Sequence, residues 1–185
     1  MLKALFSKSP EKQAGESLFA SLVQSARRPV FYAELSVPDT LDGRFELIVL
    51  HAALVMRRLR EGEAPGRAVA QSVFDVMFKD FAAALREMGT GDSKVGKNVR
   101  TMGEAFYGRA RAYDEALNTD DAAALGLAIE RNFFPVAADQ AEPEEASAAA
   151  LALAAYVRSA AEALQAQPLD ALIQGEAPAF PDPAA

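Results

Sequence analysis

The chain has 185 residues and a net charge of −7, enough for one domain that buries roughly two thirds of its unfolded surface. Forty residues are Ala, the strongest helix former, so the composition points to an all-helical fold. No Cys and a single His leave neither a disulfide framework nor the imidazoles and thiolates of a zinc or di-iron site. The charge is uneven: residues 1–111 hold 17 Lys/Arg against 13 Asp/Glu, and residues 112–185 hold 2 against 13. The basic part could meet an acidic partner at one face, although the acidic chain as a whole would be repelled by nucleic acid.

Apolar periodicity gives the elements in order. Residues 1–10 read as a flexible N-terminus, too short in apolar residues for a signal-peptide core. Leu18 with Leu22 and Phe19 with Val23 mark a first helix over 11–26. Residues 36–43 read as a loop through Pro38-Asp39 and Asp42-Gly43. A second helix follows over 44–60, apolar around most of its circumference and closed by Arg57, Arg58 and Arg60, cations that suit the negative end of its dipole. A third is expected from Pro65 to Met88, with Val69, Val73, Met77, Phe81 and Leu85 in register and Gly89 and Gly91 stopping it.

A fourth helix is expected from a cap at Asp92 or Ser93, with Val95, Val99, Met102, Phe106, Tyr113 and Leu117 on one stripe. Asn118 or Thr119 would cap a fifth over 120–133. An acidic, irregular connector then leads from Pro143 into an Ala-rich sixth helix ending near 165, expected to be peripheral because Ala buries little area. A short helical turn over 168–174 and a disordered tail complete the expected plan: an all-α single domain of about six helices over 11–165, with residues 166–185 as short helix and tail. No stretch reaches the ~18 apolar residues of a membrane span.

Several constellations invite chemistry. Residues 91–98, GDSKVGKN, fit the spacing of a phosphate loop, but position 98 is Asn where Ser or Thr would reach magnesium, and the preceding ALREMG is helical where a strand is required. A glycine stop followed by a new helix explains the same residues. His51 lies in the most apolar helix, where a core hydrogen-bonding histidine competes with a site residue. Asp39, Asp42 and Glu46 could form a carboxylate group, yet turn formation and capping explain the first two. Phe74, Met77, Phe78 and Phe81 form either a core stripe or an apolar groove for a client.

The fourth helix is the most informative. Gly96, Gly103 and Gly108 lie in its interior, where each costs about 1 kcal/mol relative to Ala, so close approach of a neighbouring helix or of a bound chain is expected. Lys94, Lys97, Arg100, Arg109 and Arg111 face one acid, Glu104, and interleave with Phe106, Tyr107 and Tyr113. This pattern suits docking of an amphipathic partner, stacking on nucleic acid, or a solvated basic face on a core helix.

Five segments in register, FYAELSVPDTLDGRFELIVLH (31–51), LVMRRL (54–59), QSVFDVMFKDF (71–81), LREMGTGDSKVGK (85–97) and MGEAFYGRARAY (102–113), together resemble the ubiquinol-cytochrome c chaperone family, whose bacterial members are related to the mitochondrial assembly factor of respiratory complex III. The match covers about 29–134. The resemblance implies an all-helical, non-catalytic chaperone without cofactor that holds newly made cytochrome b. It implies the ribosome or the membrane-insertion machinery as further partners and at most peripheral contact with the inner membrane; the lack of a membrane span and of a signal-peptide core makes a cytoplasmic location the default expectation, and the acidic net charge argues against DNA. By similarity, Gly91, Asp92, Val95, Gly96, Lys97, Arg100, Met102, Phe106, Tyr107, Gly108, Arg109 and Tyr113 become candidates for the partner-binding surface. The competing reading is a helical enzyme that binds a nucleotide or small molecule at residues 91–98 or around His51.

Overall fold

The computed structural model describes residues 8–119, 121–134, 141 and 143–183, with only the backbone of Ala122. Residues 1–7 of the expected flexible N-terminus and most of the acidic connector lie outside the described residues. Among the described residues there are eight helices and no strand: α1 (Pro10–Ala26), α2 (Val30–Ala33), α3 (Leu41–Arg60), α4 (Glu63–Glu87), α5 (Asp92–Leu117), α6 (Ala122–Phe133), α7 (Ala148–Ala166) and α8 (Leu169–Ile173). The all-α single domain expected from composition and periodicity is present.

Local chemistry sets the helix starts. Ser9 accepts the Lys12 N–H and is followed by Pro10 at the first helical position. Thr40 Oγ1 accepts the Gly43 N–H at 3.1 Å, so α3 begins three residues before its expected start, and the Asp42-Gly43 turn signal lies in its first turn. Gly43 is there because the chain folds back on itself: a Cβ would lie 2.0 Å from the Pro38 carbonyl oxygen. α4 starts two residues before Pro65. α5 takes Gly91 as its cap, so neither Asp92 nor Ser93 holds that position. Asp121 caps α6 through the Ala123 and Ala124 N–H groups, in place of Asn118 or Thr119. Ser147 caps α7, which therefore begins five residues after Pro143. The single turn α2 follows Pro29 and has too few residues to show a period.

α3 is the hub, packed against α1, α4, α5, α6, α7 and α8. α1 lies across α4 so closely that a Cβ on Gly15 would sit 2.3 Å from Ser72 Oγ. Two expectations fail here. The Ala-rich α7 is not peripheral: Ala150, Leu153, Ala154, Tyr156, Val157, Ala160 and Leu164 are buried, because small side chains let it approach α3 and α6 closely. Its C-terminal end is held by Arg58, which donates to the Leu164 and Gln167 carbonyls. Residues 175–183, expected to be a disordered tail, lie instead along the body, with Pro178 and Pro183 buried and Phe180 packed on the core.

His51 is fully buried on α3. Nδ1–H donates to the Leu47 carbonyl at 2.7 Å, which leaves Nε2 to accept from the Tyr156 hydroxyl at 2.8 Å. Both ring nitrogens are thus occupied within the core. Burial is the largest influence on the imidazole and lowers its pKa from 6.5 to about 4. The unfolded chain takes up a proton below pH 6.5 that the folded chain refuses, so this contribution is complete above that pH and is lost as pH falls towards 4. Between about pH 7.5 and about pH 5, urea denaturation should lose roughly 2 kcal/mol from this group, and His51→Gln should remove that part of the pH slope whatever its effect on stability at neutral pH.

Candidate partner-binding surface

α5 divides by face. Val95, Phe106 and Tyr113 are 2, 1 and 1% exposed, and Met102 packs against the core beside them. These four expected site residues build the inner face, and the three buried ones cannot touch a partner while the helix stays docked. The Tyr113 hydroxyl is buried, and burial, the largest influence, raises its pKa while Asn132 acts in the opposite direction.

Arg109 also turns inward. Its Nε and Nη2 donate to the two Glu46 oxygens at 2.8 and 2.6 Å, a bidentate pair that fixes α5 to α3. Burial is the largest influence on Glu46 and raises its pKa even with Arg109 alongside. Arg109 is therefore a structural cation that holds α5 to α3. Sequence reading grouped it with the surface cations because Glu46 is 63 residues away and no local spacing links the two.

The outer face is different. Gly96, Arg100, Gly103 and Tyr107 follow one another at spacings of 4, 3 and 4 and so share one side of the helix. Tyr107 is 57% exposed, its ring stacked on Phe74 of α4 at 5.3 Å between centroids. A Cβ at Gly103 would make ordinary contact with Phe78 and Phe74, whereas one at Gly96 would meet nothing within 4 Å among the described residues. Lys94 and Lys97 are exposed. Arg100 pairs with Glu104 at 3.0 Å in the open, and Asp92 pairs with Arg86 at 3.0 Å, so these two contribute little net field. Phe74 belongs with this face, while Met77, Phe78 and Phe81 are buried and form core in place of the alternative apolar client groove.

Gly108 opens on the other flank. A Cβ there would also meet nothing within 4 Å among the described residues, and the residue lines a cleft of about 600 Å³ between α5 and α6. Gly108, Ala112 and Ala116 form one wall at four-residue spacing, and Ala124 and Ala128 form the other. Sequence reading did not find this cleft, though the matching ladders of small residues on consecutive helices were its signal. Residues 91–98 make no phosphate loop: they are the cap and first turns of α5, and the element before them is α4.

The sequence pattern described as Ubiquinol-cytochrome C chaperone matches residues 33–180. The chain belongs to that family. The match continues past residue 134, where the resemblance visible in the sequence stops, through α7, α8 and into the segment carrying Phe180. The chain is 27% identical over 129 residues to ubiquinol-cytochrome c reductase complex assembly factor 1 of Mus musculus, covering 70% of this chain and 43% of that protein. The Drosophila melanogaster protein of the same name is 27% identical over 167 residues, covering 88% and 62%. The mitochondrial protein CBP3 of Saccharomyces cerevisiae is 31% identical over 107 residues, covering 56% and 32%. The chain thus spans between about a third and about three fifths of the length of these relatives. The crystal structure of the Cbp3 homolog from Brucella abortus superposes with a TM-score of 0.81 at 33% identity, covering 100% of this chain and 98% of that one.

The division of α5 into faces has a measurable consequence. Arg109→Ala leaves Glu46 buried and unpaired and should lower stability by about 3 kcal/mol or more, whereas Tyr107→Ala removes an exposed ring that stacks on Phe74 and lies edge-on to Phe106 and should cost less than about 1.5 kcal/mol. Urea denaturation of the two variants at neutral pH checks the difference.

Proposed function

We propose that this chain is an assembly chaperone for the ubiquinol-cytochrome c reductase complex, acting by binding and not by catalysis, and that it holds newly made cytochrome b through the outer face of α5. Membership of the family and the names of the relatives support the assembly role. The observation that supports the place of binding is that Gly96 sits inside a long helix with open space above it. An interior glycine costs about 1 kcal/mol relative to Ala, and here no helix among the described residues makes use of the missing side chain.

Beside that notch, Tyr107 on Phe74 offers a broad apolar plane with a polar tip, and Lys94 and Lys97 offer cations. A client with apolar segments joined by acidic loops would find both chemistries within one helix face. Gly91 caps the end of the helix, and its exposed first turn extends the same surface.

The test is made in cells. Deleting the gene should lower the level of the assembled complex and of cytochrome b while leaving the cytochrome b transcript intact; unchanged complex would end the assembly reading. Gly96→Leu should leave the fold intact and slightly stabilise the helix, by up to about 1 kcal/mol, yet behave like the deletion. If that variant restores the complex fully, the outer face of α5 is not the binding surface.

A further inference from the structure

Residues 175–183, GEAPAFPDP, lie in a groove whose walls read an extended backbone. Gln167, just past the end of α7, uses its side-chain amide as a peptide bond would: Nε2 donates to the Ala177 carbonyl at 3.0 Å and Oε1 accepts the Ala179 N–H at 2.8 Å. Further along, Arg28 Nη1 donates to the Pro181 carbonyl at 2.8 Å. Between these grips the Phe180 ring lies edge-on to His51 at 4.7 Å. Phe31 and Tyr156, packed against each other and against His51, continue the aromatic floor.

The Gln167 and Arg28 bonds engage backbone atoms, so they would serve any extended chain; Phe180 supplies the aromatic contact, with Pro178 and Pro183 buried on either side of it. The occupant has three prolines in nine residues, which holds it extended and limits the order lost on docking. It leaves α8 through Gly175, whose φ of +86° ends that helix and whose missing side chain lets it lie against Ala14 of α1.

We propose that this groove is a peptide-binding site for extended, proline-containing segments with one aromatic anchor, and that the chain's own residues 175–183 occupy it as an internal competitor. A partner polypeptide with such a segment displaces the tail and takes over the Gln167 and Arg28 grips. The site is distant in sequence from α5 and independent of the surface assigned there.

Fluorescence polarisation with a labelled peptide of residues 175–183 tests this on the full chain. The Phe180→Ala chain, its own anchor removed, should bind the peptide at least about tenfold more tightly than the wild type, whose site is mostly filled. Adding Gln167→Ala to that chain, or placing Phe180→Ala in the peptide, should abolish binding. A cooperative thermal melt establishes that the variant is folded; should Phe180→Ala fail that check, Ala179→Pro, which removes from the tail the N–H that Gln167 Oε1 accepts and leaves the groove residues untouched, takes its place. A folded variant that ignores the peptide, or equal binding by the wild type and the Gln167→Ala double variant, would overturn the proposal. So would a wild-type dimer with exchanged tails in sedimentation, because the groove would then be an interface between two copies.

Discussion

Ten consecutive residues of α3, Glu46 to Val55, are buried, and everything else in the fold answers to that helix. Surrounding a helix on all sides needs neighbours at every angle, so α1, α4, α5, α6, α7 and α8 all lean on it. It also places two polar side chains where water cannot reach them. Glu46 and His51 must be satisfied from other helices, and each partner fixes one of those helices: Arg109 brings in α5, and Tyr156 brings in α7. The polar groups of the hub thereby determine which faces of α5 and α7 turn inward, and so which residues of α5 remain free for a partner.

This explains which parts of the molecule were legible in the sequence. The helices with long apolar stripes, α1, α3, α4 and α5, were found within a few residues because period 3.6 is strong over many turns. The inner stripe of α5, Val95, Phe106 and Tyr113, was visible in the same way. The buried role of α7 was not, since Ala carries almost no hydropathy contrast and its value lies in allowing close approach. The docking of residues 175–183 was hidden for a different reason. Pro, Ala, Asp and Glu read as disordered in isolation, and the three grips that hold this stretch come from Arg28, His51 and Gln167, the first two more than a hundred residues earlier.

The candidate site was legible as a region but not residue by residue. Lys97, Tyr107 and Gly96 stand outward as the spacing suggests, whereas Arg109 was grouped with the surface cations although it is committed to Glu46. A charge at helical spacing gives its angle around the helix axis but not what waits there. The family match does not single out this region, because the matched span runs from residue 33 to 180 and takes in hub, outer face and tail alike.

The central claim is that the outer face of α5 receives another polypeptide. Photocrosslinking in growing cells from a reactive side chain placed at Tyr107, with Leu151 on α7, 45% exposed, as the control position, tests it most directly. The account predicts an adduct with newly made cytochrome b from position 107 and none from position 151. An adduct from 151 without one from 107, or no adduct from 107 in cells actively assembling the complex, would contradict it.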